Sequence, residues 1–330
     1  MIIIEQRASV VLYRFLVANC KDYHYLIPAN VCPVVPLTFL KANVGFSFVD
    51  IDPATHSGSF QECLKSLEAI GTKKKGIVNV NAYGFKQNCS DFYHSVKSQY
   101  PGTIIIEDNC LCIPETFNTE PSRLVDLELY STGSSKFAPI AEEGGYGIYD
   151  ADKWEYSNYS EHYNAEEDKE IFYHLKQCRL YDLTFTYEDC NWLQFIKSKE
   201  LNNLSDEQYL KKVSEQVIHS LEHKIKINAV YDNNLPDGIK MDGVYHNWRY
   251  MLLLPKPVLR QKILDRLEEN GLYASPHYRS VAYMFNKQRC INAEKEAPLL
   301  LNLFNSEKYT EEMALKTTAI INEIIKEDDK

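Results

Sequence analysis

The stretch Leu127-Glu-Leu-Tyr-Ser-Thr-Gly-Ser-Ser-Lys136 leads on through Glu143-Gly144-Gly145 to Tyr146-Gly-Ile-Tyr149, and its reading decides the fold. A short apolar run stops at a serine, passes through a loop of small residues, presents one lysine, and turns at Gly-Gly into a second strand. In an open α/β sheet, ligands collect beyond the carboxyl ends of the strands. A lysine at such an end is a candidate nucleophile; the plainer reading of Lys136 is a solvated loop lysine.

Upstream, buried-looking strands are expected at Tyr25–Pro28, Phe46–Asp50, Gly76–Val80 and Thr103–Glu107. The segments between them, Val34–Asn43, Phe60–Ile70 and Cys89–Gln99, read as helices. Strands and helices alternating in this way predict a mainly parallel sheet covered on both faces, an α/β fold. Glu107-Asp108-Asn109 follows the fourth strand. A carboxylate there sits in the ligand crevice and can accept a hydrogen bond from a protonated heterocyclic nitrogen. It can equally cap the next turn. From Arg7 to Asn19 the pattern predicts an amphipathic helix with Ser9 near its N-cap, which is either a phosphate seat or simply a capping serine. The nucleotide fingerprints are missing: no G-x-G-x-x-G follows a strand, and Gly133-Ser-Ser-Lys136 continues into Phe137, so it is not a Walker A loop.

Downstream, residues 151–205 are rich in Tyr, Glu, Asp and Asn and read as a peripheral, partly helical excursion. A charged helix is expected over Ser205–Lys224, then a strand at Tyr250–Leu254, a helix over Val258–Asn270 and a last helix over Glu311–Lys326. Two lobes are expected, a large one over 1–235 and a small C-terminal α+β lobe over 236–330.

The 330 residues carry a formal charge of -10, with 45% apolar and 25% charged side chains, an ordinary globular composition. The cations are scattered, so neither nucleic acid nor a membrane is an expected partner. The apolar run in Met1-Ile-Ile-Ile-Glu5 is far too short for a signal peptide, and no segment approaches a membrane span. Nine cysteines without framework spacing suit reduced thiols in a cytoplasm, and no metal site is expected.

With these residues set out, the chain resembles the DegT/DnrJ/EryC1/StrS family of sugar aminotransferases. The resemblance rests on Ile27-Pro-Ala-Asn-Val-Cys-Pro33, Phe48-Val-Asp-Ile-Asp52, Tyr83-Gly84, Ile106-Glu-Asp108, and Ser131 followed by Lys136 and Glu143-Gly-Gly145. It implies fold type I, the aspartate aminotransferase-like fold, with pyridoxal 5′-phosphate as cofactor and a homodimer as the working unit. Under it, Lys136 joins the cofactor covalently and, once freed by the amino donor, shuttles the proton between Cα and C4′. Asp108 pairs with the pyridine nitrogen, and Ser131 with Ala8 and Ser9 holds the phosphate. Cys32 stands where many relatives stack an aromatic ring on the cofactor, Leu111 where they carry Gln or His, and Arg7-Ala8-Ser9 where Ser-Gly-Thr is common.

His277 and Tyr278 resemble the family's His-Tyr segment near the substrate, with a structural surface histidine as the alternative for His277. Arg279 and Arg249 are cations suited to a nucleotide diphosphate, with a solvated surface charge as the alternative. Asn191 falls near a phosphate contact that relatives donate across the dimer. The expected reaction is amino transfer, from a donor such as glutamate, to a keto group on a nucleotide-linked deoxysugar in polysaccharide or glycoside synthesis. Lysine at 136 argues against the family's dehydratase branch, where histidine takes that place. Two rivals stay open: a cofactor- or sugar-binding protein without turnover, and an aminotransferase acting on a cyclitol or other non-nucleotide ketone.

Overall fold

The computed structural model describes residues 1–71, 74–116, 122–140, 144–157, 173–174, 177–178, 184 and 204–328. Most of the expected excursion at 151–205, with Asn191, and also Glu143, lie outside the described residues. Four strands run parallel: β2 (Tyr23–Pro28), β3 (Gly45–Val49), β6 (Lys74–Val80) and β7 (Ile104–Asp108), and β8 (Leu127–Ser131) joins β7 in the same direction. The small hairpin β4 (Ile51–Asp52) and β5 (Ser57–Gly58) sits between β3 and β6 in the chain. All five residues of β7 are buried, as expected of a parallel strand with helices on both faces.

The parallel run is closed on one side by two antiparallel strands, β9 (Gly145–Tyr149) and β1 (Ile2–Glu5), giving the order β1-β9-β8-β7-β6-β2-β3. The run Ile2–Glu5, to which sequence patterning assigned no strand, is therefore the sheet's edge; four residues are too few to show a period.

Helices α1 (Ala8–Asn19) and α2 (Val34–Lys41) bury Val11, Phe15, Leu37 and Phe39 against one face of the sheet. Helices α3 (Phe60–Ala69) and α4 (Ser90–Gln99) bury Leu67 and Val96 with Leu26, Ile77 and Ile105 on the other. Burial of each such side chain contributes roughly 1.5–3 kcal/mol, which is what fixes the helices to the sheet.

Helix α5 (Asp206–Asn234) starts with a capping box between Ser205 and Gln208 and continues ten residues past the expected end at Lys224. Its last turns carry Ile227 and Tyr231 into the core of a three-stranded antiparallel sheet, β10 (Tyr250–Leu253), β12 (Leu300–Leu303) and β11 (Ala274–Pro276). Helices α6 (Pro257–Glu269) and α9 (Glu311–Asp328) complete that core, with two short helices, α7 (Ala282–Asn286) and α8 (Ile291–Glu296), between them in the chain. No described helix is long and apolar enough to cross a membrane.

Candidate functional site

Strand register brings the site together. Asp108 pairs with Leu129, Ser131 with Gly145, and Gly145 with Glu5. Because β9 runs antiparallel to both its neighbours, the carboxyl ends of β1, β7 and β8 meet on one edge of the sheet, beside the start of β9. The chain leaves β1 at Glu5 and enters α1 at Ala8, so the helix start stands on the same edge. This is the crevice in which open α/β sheets hold ligands.

A cavity of about 360 Å³ opens there, lined by Ala8, Ser9, Cys32, Asp108, Ser131 and Lys136 among others. All six side chains that the sequence singled out for a cofactor thus share one cavity. A volume of this size lies within the range of small-molecule sites.

The helix start differs from expectation in one respect. Arg7 is the N-cap, with extended backbone and no capping side-chain bond, so Ser9 is the second residue of the helix and not its cap. The first backbone bonds run from Val10 and Val11 to the Arg7 carbonyl, at 3.0 and 3.4 Å. The N–H groups of Ala8 and Ser9 precede that ladder and face the positive end of the dipole.

The Gly-Gly turn explains why no side chain is tolerated beside it. A Cβ on Gly145 would stand 2.3 Å from the Ala8 nitrogen, and one on Gly144 would stand 2.4 Å from the Thr132 hydroxyl. The Ser131 hydroxyl donates to the Gly144 carbonyl at 3.3 Å, and the Thr132 N–H donates to the same oxygen at 2.9 Å. Thr132 is itself bonded to the Tyr209 hydroxyl of α5, a support that sequence reading missed because 77 residues separate the two.

Asp108 is buried at the end of β7, and its Oδ1 accepts from the Cys110 N–H at 3.0 Å. Asp108 thus caps the turn and also lines the cavity. Burial first, then the Asp108 charge, pushes the Cys110 thiol well above its ordinary pKa, while the Lys136 ammonium pulls the other way. Cys110 is thus a neutral thiol held between the two groups. Leu111 is close by through its backbone: a Cβ on Gly84, which has φ +86°, would meet the Leu111 carbonyl at 2.6 Å.

The four residues proposed for substrate scatter. His277 is buried, edge-on to Tyr83 at 4.8 Å and to Trp248 at 5.6 Å, inside an aromatic cluster and not on the surface. Tyr278 is half-buried beside it, with ring centroids 4.6 Å apart, and Arg279 is exposed. None of these three lines the cavity shared by Asp108 and Lys136, or the neighbouring one walled by Lys136 and Phe304. Arg249 lines the second of these: it is only 8% exposed, so the surface reading fails there. Its neighbour Trp248 donates from Nε1 to the Ser135 carbonyl at 2.7 Å, tying the smaller sheet's entry to the lysine loop.

No protein-family model matches the sequence, and no curated protein does. Solved structures do match over nearly the whole chain. The aminotransferase TlmJ from Streptoalloteichus hindustanus superposes with a TM-score of 0.69 at 14% identity, covering 100% of this chain and 87% of its own. A putative sugar aminotransferase, Spr1654 from Streptococcus pneumoniae, in a PMP form, gives 0.67 at 15%, covering 100% and 88%. A DegT DnrJ EryC1 StrS aminotransferase from Brucella abortus gives 0.65 at 13%, covering 98% and 85%. The chain has the fold of these proteins, a mostly parallel sheet flanked by helices, fold type I as the sequence motifs imply.

Proposed function

We propose that this protein is a pyridoxal-phosphate-dependent aminotransferase acting on a keto sugar, and that the sugar is nucleotide-linked and glutamate the donor. The observation that carries the reading is the placing of Lys136 and Asp108 on the walls of one cavity, with a helix start and two glycines at its end. The cavity suits the cofactor by its chemistry: an amine for the aldehyde, a carboxylate for the ring nitrogen, and free N–H groups with Ser9 and Ser131 for a phosphate.

When bound, pyridoxal phosphate supplies an aldehyde that takes up the donor's amine and a ring that accepts charge as the Cα proton leaves. Lys136 anchors the group and then carries that proton as base and acid. Asp108, held by the Cys110 N–H, keeps the ring nitrogen protonated. Ser131, Ala8 and Ser9 would hold the phosphate, and Cys32 would offer the ring less contact than an aromatic side chain gives. The same reading takes residues 1–235 as the cofactor lobe and 236–330 as the smaller lobe. It also takes a cytoplasmic homodimer as the working form, serving polysaccharide or glycoside synthesis.

The test is spectroscopic. Purified protein with pyridoxal phosphate should turn yellow, and borohydride should fix the chromophore on the peptide containing Lys136. In a separate, unreduced sample, glutamate should convert one equivalent to pyridoxamine phosphate in a single turnover. A fixed chromophore without that conversion would leave the binding-only rival standing; no chromophore at all would end the proposal.

A further inference from the structure

Beyond the loop 133–137 lies a second cavity of about 460 Å³, sharing Ser134, Ser135 and Lys136 with the first and walled otherwise by α5 and the smaller sheet. Two cations are buried in its wall. Lys224 is 5% exposed and Arg249 is 8% exposed.

Neither has a counter-ion among the described residues. Lys224 donates to the Trp248 carbonyl and to Asn305 Oδ1, both at 2.8 Å, and both acceptors are neutral. The Arg249 guanidinium lies 3.5 Å over the ring of Phe304, and its Nη1 is buried with no hydrogen-bond partner. The one carboxylate in the wall, Glu307, is engaged at the rim by Gln216 and lies 3.6 Å from His219. Burial and the neighbouring Arg249 charge lower the Lys224 pKa to about 7.

Two like charges taken out of water together, one with an idle donor, oppose folding. An anion seated between them would offset that cost. The guanidinium fork accepts a planar carboxylate or a phosphoryl group with two parallel bonds. We infer that this second cavity is a small-anion seat in which Arg249 and Lys224 hold a carboxylate or phosphoryl group of a molecule that approaches the Lys136 loop. The seat is distinct from the phosphate cup at the start of α1 and goes beyond the proposed transamination, since it needs no cofactor.

Calorimetry on the full chain, with 2-oxoglutarate in one arm and uridine diphosphate in the other, tests the seat and identifies its source. At least one should bind wild type more tightly than about 1 mM, a modest affinity for one small ligand. That affinity should fall about tenfold or more in both Arg249→Gln and Lys224→Met, the loss expected for one charge-assisted hydrogen bond. Preference for the first ligand marks a carboxylate seat, and for the second a phosphoryl seat. Both variants should melt no lower than wild type without ligand, so a loss of binding cannot be put down to unfolding. Asp108→Asn, at a residue that lines the first cavity and not the second, should weaken cofactor binding yet keep the anion affinity, which separates failure of this seat from failure of the proposed function. Binding of neither ligand, or unchanged affinity in both variants, would overturn the inference.

Discussion

The two cavities that share the lysine loop are built on opposite electrostatic plans. In the first, Lys136 and Asp108 bring opposite charges to one space, beside a neutral thiol and a helix start. In the second, Lys224 and Arg249 bring two like charges together, and among the described residues the one carboxylate in the wall, Glu307, pairs with neither. A pocket with internal balance can be assembled by the fold itself; a pocket without it depends on something outside the chain for balance. The first is laid out by strand ends and the second by side chains from α5 and the smaller sheet, so changes at residues that line only one of them should leave the other untouched.

The largest expected effect is on the first cavity. Lys136→Ala should lower the rate of amino transfer by roughly 10²–10⁴-fold from the lost proton transfer alone, before counting the lost covalent anchor. The rate of pyridoxamine phosphate formation with glutamate measures it. A variant that keeps a rate within a few-fold of wild type would detach the chemistry from this residue.

Asp108→Asn comes next. A hydrogen bond to a charged group is typically worth about 1.5–3 kcal/mol, so cofactor affinity and turnover should each fall by about tenfold to a hundredfold. Spectrophotometric titration with pyridoxal phosphate gives the first and a steady-state assay the second. Equal anion binding in this variant would confirm that the cavities are independent, and a parallel loss would show that they are coupled through the loop.

The second cavity should show in the pH dependence of stability. The folded-state pKa of Lys224, about 7, lies below its unfolded value of 10.5. Between those values the unfolded chain binds the extra proton, so wild-type stability rises with pH there, by up to roughly 1.4 kcal/mol per unit. Below pH 7 the cost of the buried charge is fully present. Lys224→Met removes it, so the stability difference between variant and wild type should favour the variant most near pH 6 and shrink by a few kcal/mol toward pH 10. Arg249 and Glu307, the charged groups that act on Lys224, are common to both proteins, and urea midpoints at matched pH isolate the single group. A flat difference would mean that the lysine is better compensated than its surroundings indicate.

This contrast also explains what was legible in the sequence. The cofactor-side residues lie where short apolar runs stop, and those stops are local signals: Asp108 and Ser131 end β7 and β8, and Gly144-Gly145 opens β9. The mainly parallel sheet followed from the alternation of strands and helices. Arg249 and Lys224 carry no such mark. Lys224 was read as the last residue of a charged helix, and only the added turns to Asn234, which bury Ile227 and Tyr231, show that this part of the helix faces a core. Arg249 follows Trp248 in a segment with no period, and its burial is decided by Phe304, 55 residues later. The N-terminal strand escaped for a related reason: its partner is β9, and an edge is defined by what it pairs with. The Ser9 cap failed because a serine at the start of an apolar pattern looks the same whether it is the cap or the second helical residue.

The smallest effect separates the two halves of the phosphate cup. Ser131→Ala removes a hydroxyl that also donates to the Gly144 carbonyl, whereas Ser9→Ala removes one that makes no capping bond. A hydrogen bond to the charged phosphate is worth about 1.5 kcal/mol at the low end of its range, so each change alone should weaken pyridoxal phosphate binding about tenfold. The Gly144 carbonyl keeps the Thr132 N–H, so the turn stays formed in Ser131→Ala and the loss should appear in cofactor affinity and not in melting temperature. Gly145→Ala is the contrasting control: its methyl would collide with the Ala8 backbone, so there both affinity and melting temperature should fall. If Ser131→Ala behaved like Gly145→Ala, the serine would be holding the turn and not the phosphate, and the cup would rest on the helix start and Ser9.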